Sequence, residues 1–89
     1  MTPNIKKIQY KKNYIFYVQF EDGNQGEIDF KQFLWGEVFE DLKSKDYFKK
    51  AKIDQISGTI SWPNGADIAP ETIYDIISKN ANTTTTKYY

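Results

Sequence analysis

The thirteen residues from Trp62 to Tyr74 make more positional demands than any other stretch of this chain. A bulky aromatic is followed at once by Pro63-Asn64-Gly65, a tight-turn signal in which proline presets φ and asparagine and glycine tolerate the left-handed region. Pro70 suits the first position of a helix, where its missing N–H costs nothing, and Glu71 favours the positive end of the helix dipole. Ile68 and Ile73 are spaced as a hydrophobic staple around Ala69, and Ile73, Ile76 and Ile77 form an apolar stripe. Ala69 is a poor N-cap, so Asp67 is expected to supply the capping oxygen from further back. Trp62 then closes the core, and Ile68 with Tyr74 pins the helix. A functional alternative has Asn64, Asp67 and Glu71 offering polar groups to an anion or peptide at the helix start. It is set second, because turn and cap chemistry already account for the spacing.

Upstream, Tyr14, Phe16, Val18 and Phe20 alternate at period two, which predicts a strand with Ile15 and Tyr17 on its other face. Ile8-Gln9-Tyr10 reads as the strand before it, across a turn at Lys11-Lys12-Asn13. Glu27-Ile28-Asp29-Phe30 reads as the strand after it, across Glu21-Asp22-Gly23-Asn24. Between Phe33 and Phe48 the period changes: Trp35, Val38, Phe39 and Leu42 fall at helical spacing, predicting a short amphipathic helix packed on the sheet, with Asp46 capping a further turn. Residues 50–54 and 59–62 flank a loop containing Gly58 and read as a hairpin. The fold class is therefore α+β: a small antiparallel sheet, a three-strand meander plus a hairpin, packed against two short helices. Eighty-nine residues fit one domain. Residues 1–79 are assigned to it, and residues 80–89, with four consecutive threonines, to a polar flexible tail.

Composition removes most chemistries. The chain contains no Cys and no His, so thiolate nucleophiles, zinc–thiolate sites and the usual general base near neutral pH are missing. Every basic residue is lysine, which excludes a bidentate guanidinium clamp on carboxylate, phosphate or guanine. Asp22 to Glu27 is rich in oxygen ligands, but a calcium loop beginning at Asp22 would need a glutamate where Phe33 stands. The carboxylate pairs Asp22 with Glu27 and Glu40 with Asp41 have no apolar pocket implied around them to raise a pKa. No enzyme activity, cofactor or metal is expected. The N-terminal residues carry no long apolar stretch, so no signal peptide or membrane span is expected and the protein is read as cytoplasmic.

Net charge is zero, yet unevenly laid out: residues 1–20 carry lysines and no acid, and the stretch that follows is acidic. Lys6, Lys7, Lys11 and Lys12 lie near Tyr10, Tyr14 and Tyr17, a pattern for nucleic-acid backbone and base stacking. A solvated lysine-bearing sheet edge is the preferred reading of the same residues. The sheet edge with Tyr10, Tyr14 and Tyr17, together with the acidic helix around Glu37, Glu40 and Asp41, is the expected contact surface for another protein.

The chain resembles the small bacterial family catalogued as domain of unknown function 2442 over residues 4–77. The resemblance rests on Phe20-Glu21-Asp22-Gly23, Gly26-Glu27-Ile28-Asp29, Val38-Phe39-Glu40-Asp41-Leu42 with Tyr47-Phe48, and the run from Gly58 to Tyr74. It implies a compact α+β domain with an antiparallel sheet, found alone or fused to a helix-turn-helix domain. Gene order, beside the family catalogued as domain of unknown function 4160, implies a toxin–antitoxin arrangement; no catalytic residues come with the family. This chain carries no such appended DNA-binding domain, which argues against self-regulating repression. The expectation is a non-catalytic protein-binding module, an antitoxin-like partner of a neighbouring gene product, with homodimerisation allowed and no membrane contact. The alternatives are a nucleic-acid-binding protein using the lysine–tyrosine face, or a subunit or inhibitor within a larger assembly.

Overall fold

A computed structural model describes the backbone of residues 2–86 and the side chains of residues 2–79. Strands β1 (Ile5–Lys12), β2 (Ile15–Phe20) and β3 (Gln25–Asp29) form an antiparallel meander in that order. Asn13 takes a positive φ of 48° at the β1–β2 turn, a conformation asparagine tolerates better than most residues. Phe16 stands opposite Tyr10 and Ile28, and Tyr17 opposite Gln9 and Glu27. Because side chains alternate, Phe16, Val18 and Phe20 enter the interior, while Ile15, Tyr17 and Gln19 line the outer face only half-buried.

The α+β reading holds, with one rearrangement. Strands β4 (Lys52–Ile53) and β5 (Ile60–Ser61) do not extend the meander. They form a second antiparallel sheet with β6 (Asp67–Ile68), ordered β4-β5-β6. Asp67 pairs across from Ser61 in β6 and remains exposed, which removes it from the capping role. The Ala69 carbonyl instead accepts the first-turn bond, from the Thr72 N–H at 3.1 Å. Gly58 closes the β4–β5 loop at φ +74°, and a Cβ there would lie 2.8 Å from Asn4 Oδ1. We expect Gly58→Ala to cost about 1–2 kcal/mol, chiefly from the left-handed backbone since the asparagine side chain can swing away. An unchanged urea midpoint would contradict that strain.

Helix α1 is a single turn (Lys45–Phe48) with Ser44, not Asp46, at its N-cap position. Helix α2 (Pro70–Thr86) begins at the expected proline and its backbone runs past Lys79. No proline or glycine follows to stop it, although Asn and Thr are weak helix formers. Residues 87–89 of the expected tail lie outside the described residues. One hydrophobic cluster fills the space between the elements: Phe16, Val18, Phe20 and Ile28 from the meander, Phe48 from α1, Ile60, Trp62 and Ile68 from the second sheet region, and Ile73 and Ile77 from α2. Phe48 sits at its aromatic centre, with its ring 5.1–6.3 Å from those of Tyr10, Tyr14, Phe16, Phe30 and Trp62.

Candidate protein-binding site

Between β3 and α1 the chain makes two 3-10 helices, Phe30–Phe33 and Glu37–Lys43. The first is capped by Asp29, whose Oδ1 accepts the Lys31 N–H at 3.0 Å. Gly36 then bends the chain at φ +88°, and Trp35 is bound locally through its N–H to the Phe33 carbonyl at 2.9 Å. Trp35 is 75% exposed and Val38 49% exposed, whereas Leu42 is fully buried. This corrects the expected α-helical stripe; the helix type supplies the reason for Val38, and the bend at Gly36 that for Trp35. With three residues per turn, side chains at i and i+3 eclipse. Within Glu37–Lys43, Phe39 and Leu42 therefore share the inward side and Val38 and Asp41 turn to solvent, while Trp35, ahead of the Gly36 bend, lies outside the helix. Glu40 and Lys43 make the third row and pair at 3.1 Å.

The Trp62–Ala66 turn braces this segment. The Asn64 side-chain amide donates to the Val38 carbonyl and to Asp41 Oδ2, both at 3.1 Å, and its oxygen accepts the Ala66 N–H at 3.0 Å. Trp62, 2% exposed, donates its indole N–H to the Phe48 carbonyl at 2.8 Å. Tyr14 supports the far end by donating to the Lys43 carbonyl. Pro63, Gly65, Asp67 and Glu71 are exposed, and Pro70 is buried at the start of α2. Asn64, Asp67 and Glu71 do not converge through any described hydrogen bond; Asn64 faces the 3-10 segment instead.

Tyr74 lies elsewhere, its ring edge-on to Phe20 at 4.9 Å and its hydroxyl donating to Asp22 Oδ2 at 2.6 Å. Asp22 Oδ1 also accepts the Asn24 N–H at 2.9 Å. Both bonds favour the charged carboxylate, the tyrosine's foremost, and hold Asp22 below the ordinary value of 3.8. The same bond to Asp22 raises the Tyr74 phenol above 10.0. Asp22 has a depressed folded pKa, so its contribution to stability is full above pH 3.8 and lost as pH falls through the folded value. Tyr74 has a raised one, so its contribution is full below pH 10.0 and lost as pH rises through the folded value. We expect Tyr74→Phe to flatten the stability profile in both of those flanks. Urea midpoints across pH for the two proteins check this, and parallel curves would refute it.

The structure divides the three tyrosines of the expected surface. Tyr10 and Tyr14 lie on the inner side, edge-on to Phe48. Tyr17 is on the outer face, with its hydroxyl donating to Gln25 Oε1 and the Lys11 ammonium 5.8 Å from its ring centroid. Glu37, Glu40 and Asp41 do share one exposed segment, and only Tyr14 of the three touches it. Lys6, Lys7, Lys11 and Lys12 are all exposed along β1. Helical spacing places Trp35 and Val38 on the packed face of this segment, whereas both are exposed. The glycine directly after Trp35 is the signal that it leaves the apolar stripe.

Among the described residues, no helix is long and apolar enough to cross a membrane. Neither a curated protein nor a solved structure matches the chain. The family described as Protein of unknown function (DUF2442) matches residues 5–79, and the chain, with its aromatic interior closed by Trp62 and its braced acidic segment, belongs to that family.

Proposed function

We propose that the protein is a non-catalytic, cytoplasmic protein-binding module whose contact surface is the segment from Trp35 to Asp41. The exposed Trp35 indole carries this reading. A tryptophan buries about 150–250 Å² when covered, and tryptophans are enriched among the few residues that dominate interface energetics. Val38 adds exposed apolar surface on the same segment, and Glu37, Glu40 and Asp41 give it an acidic rim. The matching partner surface is an apolar slot edged by basic residues. Asn64 and Tyr14 hold the segment in place before binding, which lowers the entropy cost of docking. Gene order in the family favours an antitoxin-like role toward a neighbouring gene product.

The test is co-expression with the adjacent gene product, pull-down and growth rescue, using wild type and Trp35→Ala. The substitution is expected to weaken the complex by at least about 30-fold, the effect of a 2 kcal/mol hot spot, with thermal unfolding unchanged because the indole touches solvent. No complex and no rescue with the wild-type chain would overturn the proposal, as would a Trp35→Ala protein that binds normally.

A further inference from the structure

The fold gathers lysines that the sequence keeps apart. The segment from α1 to β4 runs back along β1: Lys45 Nζ reaches Asn13 Oδ1 at 3.4 Å, Lys49 Nζ lies 5.1 Å from the Tyr10 ring centroid, and β4 packs beside β1. The four exposed lysines of β1 are thereby joined by Lys45, Lys49, Lys50 and Lys52, also exposed. Asp46 is the one acid in the two stretches 5–12 and 45–52. The acids of the meander stand on β3, where Glu27 and Asp29 face Tyr17 and Ile15, and in the β2–β3 turn at Glu21 and Asp22. There the Glu21 N–H donates to the Asn4 carbonyl at 2.9 Å and so marks the N-terminal limit of the basic edge. A chain of zero net charge thus presents one strongly basic edge. Aromatic surface is interleaved with it: Lys11 caps Tyr17 on the outer face, and Lys50 Nζ lies 5.4 Å from the Tyr47 ring centroid.

We infer that this edge, β1 with the α1–β4 segment, binds single-stranded nucleic acid without sequence preference. Lysine ammonium groups neutralise phosphates as point charges, and the absence of arginine removes the commonest bidentate reader of guanine. The basic edge is built on β1, and its one helix, α1, is a single turn, too short to enter a duplex major groove as a recognition helix. Half-buried Tyr17 offers a ring on which an unpaired base stacks once Lys11 swings to a phosphate. The acids of β3 confine the strand's path to the β1 side of the sheet.

The experiment is anisotropy of a labelled oligothymidylate and of a labelled duplex with the whole protein over roughly 50–200 mM salt. Contact with four to six phosphates of a single strand predicts a slope of log K against log salt of about −3 to −4. Lys11→Gln and Lys49→Gln should each reduce the slope's magnitude by about 0.7, the contribution of one single-strand phosphate. Tyr17→Leu should weaken binding roughly fivefold or more while leaving the slope unchanged, and Lys31→Gln, off this edge, should change neither. Absence of binding at the lowest salt, a slope untouched by the two lysine changes, or tighter binding to the duplex would overturn the assignment. So would an affinity for polyglutamate equal to that for the oligonucleotide, since that identifies an acidic protein surface as the ligand. Trp35→Ala leaves this binding intact, so the two surfaces are tested separately.

Discussion

Phe48→Ala is expected to unfold this protein or bring it to the edge of unfolding. The ring is fully buried, and deleting a buried phenylalanine costs about 3–5 kcal/mol through lost transfer energy and the cavity left behind. Five aromatic rings lose their common neighbour at once, and each edge-on pair adds roughly 0.5–1.5 kcal/mol that does not sum independently. A domain of this length has a total stability of about 4–13 kcal/mol, taking 0.05–0.15 per residue. At about 4–8 °C per kcal/mol the midpoint should fall by roughly 12–40 °C. Circular dichroism melts of the two proteins decide the matter; a fall of only a few degrees would show that Phe48 is not the centre of the core.

Trp62→Ala carries a comparable expected loss, about 3–5 kcal/mol, and here two contributions are separable. The indole fills space against Phe30 and Phe48 and also satisfies the Phe48 carbonyl. Trp62→Phe keeps most of the volume and removes the shorter of the two donors to the Phe48 carbonyl, which retains the Ala51 N–H at 3.3 Å, so the lost hydrogen bond should cost about 0.5–1.5 kcal/mol. Urea denaturation of both variants should therefore place Trp62→Phe between wild type and Trp62→Ala. If Trp62→Phe matches wild type, the hydrogen bond contributes nothing and packing alone explains the residue. A melt of Trp62→Ala indistinguishable from wild type would remove the residue from the core altogether.

The parts of the fold that were legible in the sequence are those governed by local period and turn chemistry. Phe16, Val18 and Phe20 alternate because one face of β2 is buried, and Pro70 marks the start of α2 because its ring fixes φ and lacks a donor. The parts that were not legible depend on features without a local signature. A two-residue strand such as Asp67–Ile68 carries no alternation to read. The spacing of Val38, Phe39 and Leu42 fits an α-helical stripe as well as it fits the 3-10 helix that forms, yet the two geometries send Val38 to opposite environments, and Trp35 is cut off from the helix by the bend at Gly36. Of the contact surface, Glu37, Glu40 and Asp41 could be named from charge alone. The separation of Tyr10 from Tyr17 follows from strand register, and the approach of Lys45 and Lys49 to β1 follows from tertiary packing; neither is encoded in neighbouring residues.

The two tryptophans of this chain occupy opposed surroundings, one sealed beside Phe48 and the other standing in water. Intrinsic fluorescence therefore carries two independent channels without any label. Trp35 emits at the red end and is open to collisional quenchers such as acrylamide, while Trp62 emits further to the blue and is shielded until the chain unfolds. Docking of a partner on the 35–41 segment would protect the first signal and leave the second unmoved, whereas denaturation would shift the second. Occupancy and folding can thus be followed in one cuvette, each by its own indole.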